Sequence, residues 1–214
     1  VLQHRIRPAA GEPEGALVLL HGRGVDENDL FPLLDELDPE RRLLGVTPRA
    51  PLQFAGAPGN HWYVVRRVGF PDPDTFFPTF ELLEQFMGAL AEDSGVPIER
   101  TVIGGFSQGG VMSHALTVGK GRPRPAGLIA LSCFMPRVEG FELVPEQASG
   151  LPVAMAHGTH DPIIPVELGR EARDWYEAAG AELTWRESPM AHSIDPSFLP
   201  ELRDWLVRAL PSPA

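Results

Sequence analysis

Gly104-Gly105-Phe106-Ser107-Gln108-Gly109-Gly110 is the stretch that decides the fold. A β-branched apolar pair precedes it and a helix-forming segment follows, so the pattern predicts a strand, a sharp turn and a helix. A serine at such an apex has a strained backbone, and the positions two residues before and after it must be nearly free of side chain. Gly105 and Gly109 meet that requirement. The stretch indicates a nucleophile elbow, with an ordinary glycine turn as the alternative.

Short apolar runs alternate with helical periodicity on both sides of this elbow. We predict strands at 3–7, 16–20, 43–47, 101–103, 128–131, 153–156 and 183–185, and helices at 26–38, 79–92, 111–116, 166–179 and 196–210. Continuous apolar strands separated by helices are typical of a mostly parallel sheet that is covered on both faces. The fold class is therefore α/β. Because no linker or repeat interrupts the pattern, residues 1–214 are expected to form a single domain.

The stretch 48–78 has no clean period, since proline and glycine alternate there with aromatic residues. A loop of this length is usually functional or mobile. Its aromatic content predicts that it packs over another part of the protein, with a simple surface excursion as the alternative. A short hairpin at 62–68 is one further expectation.

The composition limits which kinds of molecule the protein binds and indicates in which compartment it occurs. The chain has 214 residues, 43% of them hydrophobic, and a formal net charge of −11. This charge argues against nucleic acid or an anionic membrane as a main partner. Cys133 is the only cysteine, which suits a reducing compartment, and we expect a cytoplasmic protein. Without an apolar run of transmembrane length or a signal-peptide pattern, we expect no stable membrane insertion.

Active sites of parallel sheets gather at the carboxyl ends of the strands, and three candidate catalytic residues follow predicted strands. Ser107, Asp161 and His192 occur in the chain order that α/β-hydrolases use. A serine hydroxyl needs a base to become nucleophilic, a histidine can take and return that proton, and an aspartate orients the histidine.

Other residues compete for these roles. His192 follows the last strand, whereas His21 is expected to hold a glycine loop, His61 is a candidate for substrate contact, and His114 lies too far along the elbow helix. Asp195 is read as a helix cap. Asp161 itself has two alternatives. It could be a simple turn aspartate before Pro162, or part of a zinc site in the run 157–161.

A developing oxyanion requires preorganised donors, usually two backbone N–H groups. The N–H of Gln108, directly after the serine, is one candidate, and the N–H of Arg23 in the loop after the strand at 16–20 is the other. The Gln108 side chain is expected to matter less than Gly105 or Gly109. The Arg23 side chain could be a surface charge or could meet an acidic group on a substrate.

Five segments together resemble the phospholipase/carboxylesterase family, which includes acyl-protein thioesterases and bacterial carboxylesterases. They are Leu19–Gly24, Gly105–Gly110, Leu131–Pro136, His157–Pro165 and Met190–Ile194. The resemblance implies an α/β-hydrolase fold without a large cap domain, a Ser107–Asp161–His192 triad and an oxyanion hole at Arg23 and Gln108. No cofactor is expected, and several family members are homodimers. Arg23 and Val25 look more like the bacterial carboxylesterase branch.

The sequence thus predicts a serine carboxylesterase that cleaves small-molecule esters through an acyl-enzyme. Four residues are expected to line an apolar acyl pocket: Trp62, Phe134, Met135 and Met190. An acyl-thioesterase or a lysophospholipase with the same triad is one alternative. A catalytically idle binding module is the other.

Overall fold

The computed structural model describes residues 2–212. Its strands are β1 (His4–Arg7), β2 (Ala16–Leu20), β3 (Leu44–Pro48), β4 (Leu52–Gln53), β5 (Asn60–His61), β6 (Val65–Arg67), β7 (Phe70–Pro71), β8 (Thr101–Phe106), β9 (Gly127–Leu131), β10 (Pro152–Gly158) and β11 (Glu182–Ser188). Seven of them form the central sheet in the order β1-β3-β2-β8-β9-β10-β11. Among the described strands of this sheet, only the edge strand β1 runs antiparallel to its neighbour, β3, so the sheet is mostly parallel.

The strands in the middle of this sheet are buried on both faces. β2 and β9 have no exposed residue, as expected for continuous apolar runs in a parallel sheet. The register pairs Leu20 with Gly105 and Phe106 with Leu131. The carboxyl ends of β2, β8 and β9 therefore meet at one edge, directly beside Ser107.

Helices cover both faces of the sheet. They are α1 (Phe31–Leu37), α2 (Pro73–Ser94), α3 (Gln108–Val118), α4 (Val166–Ala178) and α5 (Leu199–Ala209). One hydrophobic core packs α2, α3 and α4 against one face, and a second packs α1 and α5 against the other. This confirms the predicted α/β-hydrolase architecture. No cap domain is present within residues 2–212, and no helix there combines the length and apolar character needed to cross a membrane.

Two predicted helix starts are wrong by five residues or more. α1 begins at Phe31, because the Asp26 carboxylate accepts the Asn28 backbone N–H at 2.9 Å and closes a local turn instead of capping a helix. α2 begins at Pro73, six residues before the predicted start, and continues through Pro78. Its N-cap is Asp72, whose side chain accepts the Asp74 N–H.

The stretch 48–78 contains two small hairpins and the start of α2. β4 pairs with β5, and β6 pairs with β7, so the second hairpin begins and ends three residues after the one predicted at 62–68. Trp62 and Tyr63, between the hairpins, are buried in the core. The stretch therefore packs onto the sheet edge and is not a simple surface excursion.

Candidate active site

Ser107 lies between the end of β8 and the first residue of α3. Its φ of 55° and ψ of −121° place a non-glycine residue in a strained region of backbone space. The neighbouring glycines are required by close packing. A Cβ on Gly109 would lie 1.9 Å from the Leu20 carbonyl oxygen, and one on Gly105 would lie 2.4 Å from the Gly109 carbonyl carbon. The local geometry is therefore that of a nucleophile elbow.

The structure brings Ser107, His192 and Asp161 into one hydrogen-bonded chain. His192 Nε2 lies 3.0 Å from Ser107 Oγ, and His192 Nδ1 lies 2.6 Å from Asp161 Oδ2. With its proton on Nδ1, the imidazole donates to the carboxylate and leaves Nε2 free to accept the serine proton. These three side chains come from the ends of three different strands.

Backbone donors fix the orientation of Asp161. Its Oδ1 accepts the N–H groups of Ile163 and Ile164 at 2.8 and 2.9 Å, which leaves Oδ2 for His192. The Asp161 side chain is completely buried. A buried carboxylate held by two N–H groups and an imidazole cannot swing away from His192 without leaving its charge unpaired.

His157 also supports this turn, although no local sequence pattern indicated that role. Its Nε2 donates to the Ile164 carbonyl at 2.8 Å and lies 3.5 Å from Asp161 Oδ2. Burial lowers the pKa of His157, which favours the neutral ring. Gly169 on α4 packs directly on the ring, since a Cβ there would lie 2.4 Å from His157 Nδ1.

Three contacts hold the loop that carries His192. The Met190 carbonyl accepts the His160 N–H at 3.0 Å, and the Ser132 hydroxyl donates to the Ser193 carbonyl at 3.1 Å. The Ser188 hydroxyl donates to Asp195. Asp195 also caps the short 3₁₀ helix before α5, the capping role predicted for it.

Two backbone N–H groups beside Ser107 have the properties of oxyanion donors. Within residues 2–212, neither the Arg23 N–H nor the Gln108 N–H makes a hydrogen bond to a protein group. Both residues line the same cavity as Ser107 and His192. Gln108 is also the first residue of α3, where the helix dipole favours negative charge.

The Gln108 side chain has a structural role that the sequence did not indicate. Its Oε1 accepts the Trp62 N–H at 3.0 Å, and its Nε2 donates to the Tyr63 carbonyl at 2.9 Å. Trp62 Nε1 in turn donates to the His21 carbonyl at 2.8 Å. These bonds connect the elbow, the loop after β2 and the stretch between the hairpins.

Three other histidines make contacts outside the hydrogen-bonded chain of Ser107. His21 bonds to the Gly22 carbonyl and the Ala50 N–H, so it holds the glycine loop as expected. His114 is fully buried against the Tyr176 hydroxyl, and burial lowers its pKa to about 3. His61, a candidate for substrate contact, is buried against Phe54 and is not among the described residues that line the cavity.

The cavity beside Ser107 has a volume of about 430 Å³. It is lined by Gly22, Arg23, Val25, Asp29, Tyr63, Val65, Arg67, Val68, Phe106, Ser107, Gln108, Phe134, Ile163, Ile164 and His192. Phe134 is therefore the one predicted pocket residue that lines it. Trp62 is wholly buried beneath the loop, Met135 lines a separate cavity near α4, and Met190 lies in the loop before His192.

The side chains of residues 157–161, the alternative zinc site, do not face a common point. His157 is bonded to Ile164, Asp161 is turned toward His192, and His160 is exposed. Among residues 2–212, no group of three or more His, Cys, Asp or Glu side chains is arranged to hold a metal ion.

A serine–histidine–aspartate chain at the carboxyl edge of a mostly parallel sheet defines the class of protein: a serine hydrolase of the α/β-hydrolase fold. The model of the phospholipase/carboxylesterase family matches residues 3–209, and the chain belongs to that family.

Individual relatives agree with this assignment. Acyl-protein thioesterase 1 of Gibberella zeae is 28% identical over 225 aligned residues, which cover 95% of this chain and 94% of that protein. The carboxylesterase of Bacillus cereus has a similar structure, with a TM-score of 0.83, 23% identity and coverage of 97% of this chain and 94% of that one. Acyl-protein thioesterase 2 of Zea mays gives a TM-score of 0.77 at 22% identity, covering 98% and 100%. The two structural matches support the fold.

Proposed function

We propose that this serine hydrolase is a carboxylesterase that cleaves small to medium carboxylic esters through an acyl-enzyme. Ser107 is the nucleophile, His192 the general base and acid, and Asp161 the residue that orients His192. The observation that carries the proposal is the hydrogen-bonded chain of 3.0 and 2.6 Å through His192, beside two backbone N–H groups that have no partner within residues 2–212.

In the first half of the reaction, Ser107 Oγ attacks the ester carbonyl while His192 Nε2 takes its proton. The carbonyl oxygen becomes an oxyanion, which the N–H groups of Arg23 and Gln108 stabilise. His192 then gives the proton to the departing alcohol, and the acyl group stays on Ser107. In the second half, His192 activates a water molecule that attacks the acyl-enzyme and releases the acid.

Acyl-thioester hydrolysis is the second candidate. It is supported by relatives such as the Gibberella zeae and Debaryomyces hansenii proteins, both named acyl-protein thioesterase 1. The same residues would serve either reaction, because both pass through a tetrahedral oxyanion. A lysophospholipase is the remaining alternative with this machinery.

Substrate profiling of the purified protein separates these candidates. We expect 4-nitrophenyl esters of graded acyl length to be cleaved with a higher kcat/KM than matched acyl-thioesters or lysophospholipids. A higher kcat/KM on thioesters of the same acyl group would favour the thioesterase. Turnover of every substrate should be abolished in Ser107→Ala, which keeps the backbone N–H groups and removes only the hydroxyl.

We extend the proposal to the substrate, the domain organisation, the location and the oligomeric state. The substrate is a small-molecule ester, and residues 1–214 act as a single domain. Cytoplasmic location is supported by the sole cysteine, Cys133, which is buried and unpaired. A homodimer stays a prediction, which analytical ultracentrifugation tests.

A further inference from the structure

Two arginines at the catalytic cavity lack the partners that other arginines in this protein have. Within residues 2–212, Arg23, Arg67 and Arg208 are the arginines whose side chains make neither an ion pair nor a hydrogen bond. Arg23 and Arg67 both line the cavity that contains Ser107. This is unexpected in a chain whose net charge is −11, where carboxylates are plentiful.

Each of these guanidinium groups stacks on an aromatic ring, and both arginines are exposed. Arg67 stacks over Phe70 with 3.5 Å between its Cζ and the ring centre, and Arg23 stacks over Phe54 at 4.7 Å. Stacking uses the flat face of a guanidinium and leaves the N–H donors at its edge unpaired. A planar edge with several donors matches a carboxylate or phosphate, and a stacked side chain loses less freedom when it binds one.

Within residues 2–212, neither guanidinium donates a hydrogen bond to a protein group. The wall of the cavity is mainly apolar, from residues such as Val65, Val68 and Phe134, and Asp29 is the one carboxylate among the described residues that line it. Within residues 2–212, Asp29 forms no ion pair with either arginine, and its pKa is raised by burial and by the neighbouring Asp26. One cavity thus receives two cations from separate segments. Arg23 comes from the loop after β2, and Arg67 comes from the β6–β7 hairpin.

We infer that the ester hydrolysed here carries a second, anionic group, a carboxylate or a phosphate, which Arg67 and Arg23 bind while the ester carbonyl lies at Ser107. Arg67 is the specificity residue to test, because the Arg23 backbone also belongs to the proposed oxyanion hole. The inference rests on the proposed function and names the substrate class of the same site.

Three 4-nitrophenyl esters with the same six-carbon acyl length test the inference. One is the neutral hexanoate, one the monoester of adipic acid with a terminal carboxylate, and one a 6-(trimethylammonio)hexanoate with a terminal cation. The quantity to measure is the ratio of kcat/KM for the anionic ester to kcat/KM for the neutral one. We expect Arg67→Gln to lower this ratio about tenfold, the size of one charge-assisted bond at a partly solvated site. Raising the ionic strength should lower the ratio of the wild type as well.

Arg66→Gln is the matched control. Arg66 lies on the same hairpin, is 73% exposed in its side chain, pairs with Asp72 and does not line the cavity. The control should keep the wild-type ratio, and Arg67→Lys should fall between wild type and Arg67→Gln. Equal rates of fluorophosphonate labelling at Ser107 verify that each variant keeps its elbow.

The outcomes separate the inference from the proposed function. If the wild type hydrolyses none of the three esters in a Ser107-dependent way, the proposed function fails and the inference fails with it. If the neutral ester is hydrolysed but Arg67→Gln leaves the ratio unchanged, the inference alone is wrong. It is also wrong if the cationic ester is preferred and Asp29→Asn removes that preference.

Discussion

Gln108 Oε1 accepts the backbone N–H of Trp62 at 3.0 Å, and through this bond the residue after the nucleophile holds the loop that walls the cavity. The same side chain also donates to the Tyr63 carbonyl, and we call these two hydrogen bonds the Gln108 clamp. Tyr63 itself lines the cavity. The side chain and the backbone of Gln108 therefore serve different parts of one site.

Replacement of the Gln108 side chain tests whether the Gln108 clamp stabilises the fold. Gln108→Leu keeps the backbone N–H and most of the volume but leaves a buried N–H and a buried carbonyl unpaired. We expect the free energy of unfolding to fall by about 2–4 kcal/mol, measured by urea denaturation, and kcat/KM to fall with it. Gln53→Leu, at an exposed position of β4, should change stability by about 0.5 kcal/mol or less. Equal stability losses in the two variants would contradict a clamp.

The orienting role of Asp161 predicts a selective loss of turnover. Asp161→Asn can still accept the Ile163 and Ile164 N–H groups, but its amide no longer offers an acceptor with negative charge to His192 Nδ1. We expect kcat to fall about 10³- to 10⁴-fold, with KM changed much less. Steady-state kinetics on a neutral ester measures both. A variant that retains a tenth of the wild-type kcat would show that Asp161 does not orient the base.

Alanine substitutions at Gly109, in the elbow, and at Gly88, in α2, should have opposite effects on stability. Gly109→Ala would place a Cβ 1.9 Å from the Leu20 carbonyl oxygen, so we expect a large loss of stability and of activity. Gly88, inside α2, has nothing within 4 Å of an added Cβ. Gly88→Ala should therefore stabilise the protein by about 0.5–1 kcal/mol, as alanine does in helix interiors. Thermal denaturation of the pair checks both signs, and a stable, active Gly109→Ala would be inconsistent with the elbow geometry.

His114 predicts a pH dependence of stability. Burial lowers the pKa of its imidazole to about 3, against about 6.5 in an unfolded chain. Between these values the unfolded state binds a proton that the folded state does not, so stability is full above pH 6.5 and is lost as the pH falls. The slope from this one group is about 1.4 kcal/mol per pH unit.

Urea denaturation at pH 7, 6 and 5 measures that slope. In His114→Gln, the free energy of unfolding should depend less steeply on pH than in the wild type, even though the variant is less stable at pH 7. His160→Gln is the control, because His160 is exposed. An unchanged slope in His114→Gln would mean that this imidazole does not titrate as its burial requires.

The sequence predicted the parts of the fold that local pattern controls. β2 matches its prediction residue for residue, since five consecutive apolar residues in a parallel sheet are buried on both faces. α2 begins six residues before its predicted start, because Asp72 caps the helix, Pro73 is its first residue and Pro78 lies inside it. The predicted helix start at residue 26 is wrong because aspartate favours turns as well as helix caps, and the Asp26 carboxylate accepts the Asn28 N–H in a turn.

At the site, the order of residues along the chain predicts the triad, whereas contacts between distant residues cannot be predicted from the sequence. Ser107, Asp161 and His192 each follow a strand, so their meeting at one sheet edge could be anticipated. The contact of Gln108 with Trp62 spans 46 residues, and no spacing rule links such positions. The same holds for the pocket: Phe134 faces it and Met135 does not, a difference that depends on the exact path of the chain after β9.

Covalent labelling of the wild type and Ser107→Ala with a fluorophosphonate probe tests the central claim most directly. The account predicts one adduct per wild-type chain, mapped by mass spectrometry to Ser107, with loss of all esterase activity. It predicts neither label nor activity in Ser107→Ala, although that variant should stay folded. Esterase activity that persists in Ser107→Ala, or a label on a different residue of the active wild type, would contradict it.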